Sequence, residues 1–296
     1  MIRKLFRLAF PRRVRLPSGV HFHHHSGTGR VPNLGDFLCT PKHYFVFESD
    51  RPALILGGGA FNGLGTQTAS TFKASVRVCW AVGQSLRFDQ HHAPLDRSSV
   101  NRVYAIATTR DPSIADGKIG LLPCVSVLHP IVDMPVGDRR GMILNFNPDV
   151  SGDVLDQVLA KYRDDGFLVS TNATPADEFF ANFRQIAELT TNSYHAAYWG
   201  LLSGRRVRLV GYSSKFVDLL ALFGIAGEDV EPYARGSGEA LKQAVLAVAA
   251  KEPISLASAE DCKDRFRSMN LEFARSLEAV GIRARAVENR AVETAA

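Results

Sequence analysis

The sequence predicts an α/β fold made of two halves, each a parallel sheet covered by helices. Short apolar runs alternate with longer amphipathic stretches, and Gly, Pro, Ser or Asn punctuates nearly every change. A polar stretch with Pro and Gly, Met134 to Arg140 (MPVGDRR), interrupts the alternation, which then begins again. The 296 residues are enough for two domains of ordinary size. The bulk composition, 46% hydrophobic and 22% charged, is that of a soluble globular chain, and no run of eighteen apolar residues predicts a transmembrane helix. Cys39, Cys79, Cys124 and Cys262 lie far apart with no CxxC pair, which argues against a zinc cluster and for reduced thiols in a cytoplasmic protein.

The first sixteen residues stand apart. They hold Arg3, Lys4, Arg7, Arg12, Arg13 and Arg15 and no acid; setting those six aside leaves 29 basic against 30 acidic residues. The body is therefore close to neutral and carries no nucleic-acid footprint. Within the arm, Ile2, Leu5, Phe6, Ala9 and Phe10 recur at helical spacing until Pro11. One reading is a short basic helix lying on an anionic membrane face; the other is a frayed or packed terminus. Charges interrupt the apolar run and no small-residue cleavage site follows, so a signal peptide is not expected.

Val14 to His25 reads as a strand with His21, His23 and His25 on one face. No carboxylate or thiol stands nearby to complete a shell, so no metal is expected. After a Gly/Ser/Pro loop, Asn33-Leu34-Gly35-Asp36 opens a helix; Gly35 allows close backbone approach, and Asn33 or Asp36 can cap or bind a hydroxyl. Ala53 to Leu56 is a buried strand ended by Gly57-Gly58-Gly59, whose N–H groups can face an anion. The triple glycine lacks the Lys-Ser/Thr of a P-loop and the GxGxxG spacing, which excludes those nucleotide-binding loops. Val76 to Val82 and Val103 to Ala107 are further strands. Arg110 follows the second, with a guanidinium suited to carboxylate or phosphate or, on the alternative reading, to a structural pair with Asp111. Leu121 to His129 closes this half.

In the second half, Gly141 to Phe146 is a strand, Val154 to Arg163 a helix, Gly166 to Ser170 a strand, and Pro175 to Ala187 a helix with Pro at its first position. A strand then leads to Thr190, Thr191, Asn192 and Ser193, all good caps for the apolar helical run Ala196 to Leu202. Val207 to Val210 is the next strand and Ser214 to Leu222 the next helix. His195 thus falls in the first turn of a helix at the carboxyl end of a strand, where α/β folds bind ligands. Free N–H groups there favour an anion and disfavour imidazolium; the alternative is a structural His beside a cap. Ala240 to Ala250 and Lys263 to Ala279 are terminal helices able to pack back across the domains. The divisions expected are an arm over 1–16, α/β domains over 17–137 and 138–285, and a disordered tail over 286–296. The two domains read as Rossmann-like units facing a cleft.

Five segments in order carry a resemblance: Asn33-Leu34-Gly35-Asp36, Gly57-Gly58-Gly59, Arg110-Asp111-Pro112-Ser113, Asn192-Ser193-Tyr194-His195-Ala196-Ala197, and Lys215 opening KFVDLLALFGI. Together they resemble the polysaccharide pyruvyl transferase family. The resemblance implies a glycosyltransferase-B-like arrangement. It also implies transfer of a pyruvyl group from phosphoenolpyruvate to two hydroxyls of a sugar in a polysaccharide or its lipid-linked precursor. The product is a cyclic ketal, and neither cofactor nor metal is required. On that basis His195 moves the protons, and Arg110 and Lys215 hold the carboxylate and phosphate. Backbone donors at Gly57, Gly58, Gly59 and the Ser193 helix start would share the load, with Asn33, Gly35, Asp36 and Asn192 completing the site. Some members of the family carry Arg where this chain has Ser193, so the phosphate would rest on Arg110, Lys215 or another cation such as Arg77. A lipid-linked acceptor fits a cytoplasmic protein at the inner face of the membrane. Two alternatives are a nucleotide-sugar glycosyltransferase, with His195 on a diphosphate, and a non-catalytic saccharide binder. In any of the three, Trp80, Trp199 and Tyr198 either stack on sugars or fill the core.

Overall fold

A computed structural model of the chain describes residues 14–24, 33–145 and 152–287. The basic helix expected at the start of the chain and most of the expected tail, 288–296, lie outside the described residues.

The first sheet has five parallel strands: β1 (Gly19–His23), β2 (Pro52–Gly57), β3 (Val76–Trp80), β4 (Ile106–Thr109) and β5 (Ile119–Leu121). Their spatial order follows their order in the chain. In β2, Ala53 and Ile55 join one apolar cluster with Val78 and Trp80, while Leu54 and Leu56 join another with Cys79 and Val100. A strand buried on both faces is what a covered parallel sheet requires. The long strand expected over Val14 to His25 is two pieces, Val14–Arg15 and β1. Pro17 and Gly19, the latter at φ +108°, break it between them. His21 bonds to the Pro17 carbonyl and His23 packs against the Phe61 and Phe72 rings; His25 is outside the described residues. Val103, expected in a strand, ends the helix Arg97–Val103.

The second sheet is also parallel: β6 (Arg139–Leu144), β7 (Leu168–Thr171), β8 (Ile186–Thr191), β9 (Arg206–Gly211) and β10 (Val230–Pro232). Its order is β7-β6-β8-β9-β10, so the chain reverses direction of travel between β6 and β8. A crevice at the carboxyl ends of such a pair is the usual ligand position in doubly wound sheets. Pro175 caps the helix Ala176–Gln185 rather than opening it, and that helix runs straight into β8.

Two helices hold the halves together. Every residue of Tyr194–Leu202 is buried, as expected of a helix apolar all round. Its Tyr198 hydroxyl donates to the Cys124 carbonyl and its Trp199 indole to Ser126 Oγ, tying it to the chain that follows β5. The helix Ala259–Ser276 crosses from one half to the other. Phe266 stacks on Tyr198 in the second half, while Asn270 accepts from the Trp80 indole of the first at 3.1 Å and donates to the Pro123 and Phe266 carbonyls. The chain then returns as Arg283–Ala286, antiparallel to Phe45–Glu48, so its last described strand belongs to the first half. No helix among the described residues is long and apolar enough to cross a membrane.

Candidate active site

The carboxyl ends of the two sheets meet. Leu86 and Ser214 exchange hydrogen bonds between the loop after β3 and the helix Ser214–Leu222. Ser85 and Ser213 hydroxyls are 2.9 Å apart, and Asp218 Oδ1 accepts from the Ser113 amide at 2.9 Å.

The end of β4 is sewn to the end of β3. Thr109 Oγ1 donates to the Val82 carbonyl, and Thr108 Oγ1 accepts from the Ala81 amide while donating to the Cys79 carbonyl. Ala81 takes φ +49°, an uncommon conformation that turns the chain so that Gln84 donates its amide to Asp111 Oδ2 at 2.5 Å. With the backbone so fixed, Arg110 points inward and is 2% exposed. Its guanidinium carbon lies 3.8 Å above the Tyr194 ring, and Nη1 lies 3.3 Å from His195 Nε2. A guanidinium only donates, so Nε2 is the acceptor, and an imidazole accepting there carries its hydrogen on Nδ1.

Three buried polar atoms in this cluster have no hydrogen-bond partner: Arg110 Nε, Asp111 Oδ1 and Tyr194 Oη. The neighbours Arg110 and Asp111 therefore do not satisfy each other, contrary to the structural pairing the sequence allowed. Orphaned groups at this depth are rare and costly. Burial pushes the Asp111 carboxyl up to about 7, against the pull of Arg110 and the Gln84 amide. Burial likewise raises the Tyr194 phenol well above its ordinary value.

The remaining expected residues divide into two groups. Gly35 lies against His195, and a Cβ there would fall 2.4 Å from Nδ1, so no other residue fits without moving the ring. Lys215 is buried beside the same cluster and donates to the Tyr212 hydroxyl at 2.7 Å. Burial alone would raise that phenol, but Lys215 outweighs it and holds Tyr212 below its usual range. The other group is occupied by scaffold. Asn33 caps its own helix and donates to Asp36. Asn192 accepts from the Asn145 amide and donates to the Tyr233 hydroxyl, joining the ends of β6, β8 and β10. The Ser193 hydroxyl caps the Ala196 amide. Gly57 packs on Pro41 and Gly58 on Cys39, while Gly58 and Gly59 take φ of +81° and +77° in a tight turn.

Arg77 is not at this end of the sheet. It lies near the start of β3 and bonds the Ala69 and Phe72 carbonyls, which removes it as a partner for phosphate. Trp80, Trp199 and Tyr198 are fully buried core residues and offer no face to a sugar. No group of three His, Cys, Asp or Glu able to hold a metal occurs among the described residues.

Sequence reading passed over Asp111, Tyr194 and two thiols. Cys39 and Cys124 interact with each other; burial raises Cys39. Burial also acts to raise Cys124, but Cys39, His195 and Arg110 outweigh it and bring that thiol down. Of these residues only Asp111 and Tyr194 lie inside segments already singled out, and adjacency to Arg110 and His195 was their one signal. No family model matches the chain, and comparison with curated proteins and with solved structures finds no match.

Proposed function

We propose that the chain is a ketal-forming pyruvyl transferase. It would move a pyruvyl group from phosphoenolpyruvate to two hydroxyls of a sugar in a polysaccharide or its lipid-linked precursor, on two Rossmann-like domains arranged as in glycosyltransferase-B folds. The observation that carries the reading is Arg110: a buried guanidinium with an unpartnered Nε, resting on an aromatic ring and against the His195 imidazole. Arg110 has acidic neighbours but no salt bridge among the described residues, and a buried guanidinium with one donor to spare suits an anion. Phosphoenolpyruvate supplies both a carboxylate and a phosphate. Arg110 holds one of them, and Lys215, nearby on the facing half, is the second cation. The Ser193 helix start adds backbone donors of the same sign.

His195 is the base in this scheme. In the unliganded protein Arg110 covers its Nε2 lone pair. An anion that draws Arg110 away uncovers that lone pair for a sugar hydroxyl, so donor binding and activation of the base are coupled. Proton transfer of this kind contributes roughly 10² to 10⁴ in rate. The direct test is mass spectrometry of a polymer or lipid-linked saccharide pool incubated with the protein. A pyruvate-ketal mass increment that depends on phosphoenolpyruvate is expected. Thermal stabilisation by nucleotide sugars and not by phosphoenolpyruvate would overturn the reading.

A further inference from the structure

We infer that Asp111 is the second proton-transfer group of this site, the acid that protonates the methylene carbon of the donor while His195 takes the proton of the attacking hydroxyl. This rests on the pyruvyl-transfer reading and adds to it a division of labour between two side chains.

The geometry singles out Asp111. Its side chain is fully buried, Oδ2 is held by the Gln84 amide at 2.5 Å, and Oδ1 has no partner. A carboxylate with one oxygen anchored and the other idle is oriented without being neutralised. Gly83 defines where the idle oxygen lies: a Cβ on that glycine would stand 2.6 Å from Arg110 Nε and 2.9 Å from Asp111 Oδ1. The two orphaned atoms therefore approach the same side of the same residue, and the acid lies beside the cation that would hold the donor. The groups facing Asp111 are Arg110 from its own loop, Tyr194 from the His195 helix, and Lys215 and Asp218 from the helix Ser214–Leu222. Burial raises its carboxyl to about 7, so both its protonated and ionised forms are available near neutrality.

The proton inventory closes with these two groups and nothing else. At the start Asp111 is protonated and His195 is the free base. In the first step the oxygen of one hydroxyl bonds to C2 of the donor and its proton passes to His195. The electron pair of the C2–C3 double bond takes the proton of Asp111, making the methyl group. His195 is then the cation and Asp111 the anion. In the second step the bond from C2 to the phosphate oxygen breaks and the oxygen of the second hydroxyl bonds to C2. That hydroxyl's proton goes to Asp111, and the departing phosphate takes the proton held by His195. Ketal and hydrogen phosphate leave, and both side chains are back in their starting states.

The test needs no acceptor. Calorimetric titration of the full-length protein with phosphoenolpyruvate, near pH 8 in buffers of differing ionisation enthalpy, counts the protons taken up. The incoming negative charge favours protonated Asp111, so net uptake is expected in the native protein, and Asp111→Asn is expected to lose that uptake while binding within about threefold of native affinity. In Asp218→Asn the pH of greatest uptake is expected to move down, because losing a neighbouring negative charge favours the ionised carboxylate; this second variant serves where Asp111→Asn does not fold. Binding with equal uptake in native protein and Asp111→Asn, or an unmoved pH of greatest uptake in Asp218→Asn, overturns the role of Asp111 and leaves pyruvyl transfer standing. Absence of phosphoenolpyruvate binding to the native protein overturns the parent reading instead. Ketal formation on a polymer or lipid-linked pool is expected to fall at least about 100-fold in Asp111→Asn, and retention within threefold also overturns the inference.

Discussion

The buried carboxyl of Asp111 has a consequence for stability that can be measured without any substrate. Its ordinary value is 3.8 and its folded value about 7. Between those limits the folded chain holds a proton that the unfolded chain has released. The stabilisation tied to that proton is complete below about pH 4 and disappears as pH rises through about 7. At roughly 1.4 kcal/mol per pH unit, the displacement amounts to an order-of-magnitude loss of about 4 kcal/mol. That is a large share of the 5–15 kcal/mol typical of a folded domain. Asparagine keeps the shape and an acceptor for the Gln84 amide but does not titrate. Chemical denaturation of native protein and Asp111→Asn from pH 4 to 8.5 should give two curves whose difference changes by about that amount in the variant's favour. Carboxylates elsewhere contribute to both curves and cancel. A flat difference would show that Asp111 ionises normally in the folded state, and the argument from its desolvation would then be wrong.

Outcomes for five other variants are expected. His195→Ala should lower pyruvyl transfer by about 10² or more with donor affinity nearly intact, whereas Arg110→Ala should weaken phosphoenolpyruvate binding by about tenfold or more; steady-state kinetics with calorimetry separate the two. Gly35→Ala should resemble the His195 variant in rate, because the added methyl would fall 2.8 Å from His195 Cβ as well as against Nδ1 and must displace the ring; near-native turnover would refute the contact. Asn270→Ala should cost about 2–4 kcal/mol in urea denaturation, since the Trp80 indole and the Pro123 carbonyl both lose their buried partner. Removal of residues 1–13 should lower binding to anionic lipid vesicles at low salt without changing the thermal midpoint, and equal vesicle binding would dispose of the arm's proposed contact.

The parallel sheets were legible because their strands are largely apolar runs closed by glycine or a cap, continuous in Ala53 to Gly57 and interrupted only by Arg208 in Val207 to Gly211. The helix Ser214–Leu222 was legible for its apolar spacing. Strand limits were less so: VYAIA, from Val103 to Ala107, fits the end of a helix or the start of a strand, and packing decided between them. Arg77 was a poor candidate on the sequence alone: it is second in the run from Val76, at the amino end of its strand, whereas ligands gather at the carboxyl ends. Arg110 and His195 were expected in one site from the resemblance and from their places at strand ends, but their direct contact was beyond reach. Arg110 meets His195 across 85 positions and Trp80 meets Asn270 across 190. No local pattern reports such distances. Asn33, Asn192 and Ser193 show the converse. A capping residue and a ligand-binding residue look alike in sequence, and only their partners tell them apart.

The return of the last strand to the first half bears on how the molecule is made. The segment with β1 to β5 is translated before the second half, but Ala274, Leu277 and Ile282 of its apolar cluster and the partner of its Trp80 indole are translated after it. The half begun earliest is thus the half finished latest, and until the final helix arrives it exposes one apolar face of its sheet. The second half, whose described strands all lie between Arg139 and Pro232, has its sheet complete while the first is still waiting. Nascent chains stalled before Ala259 should therefore lean on chaperones through the Trp80 face, and emergence of the stretch from Ala259 to Ala286 is the step that closes the first half.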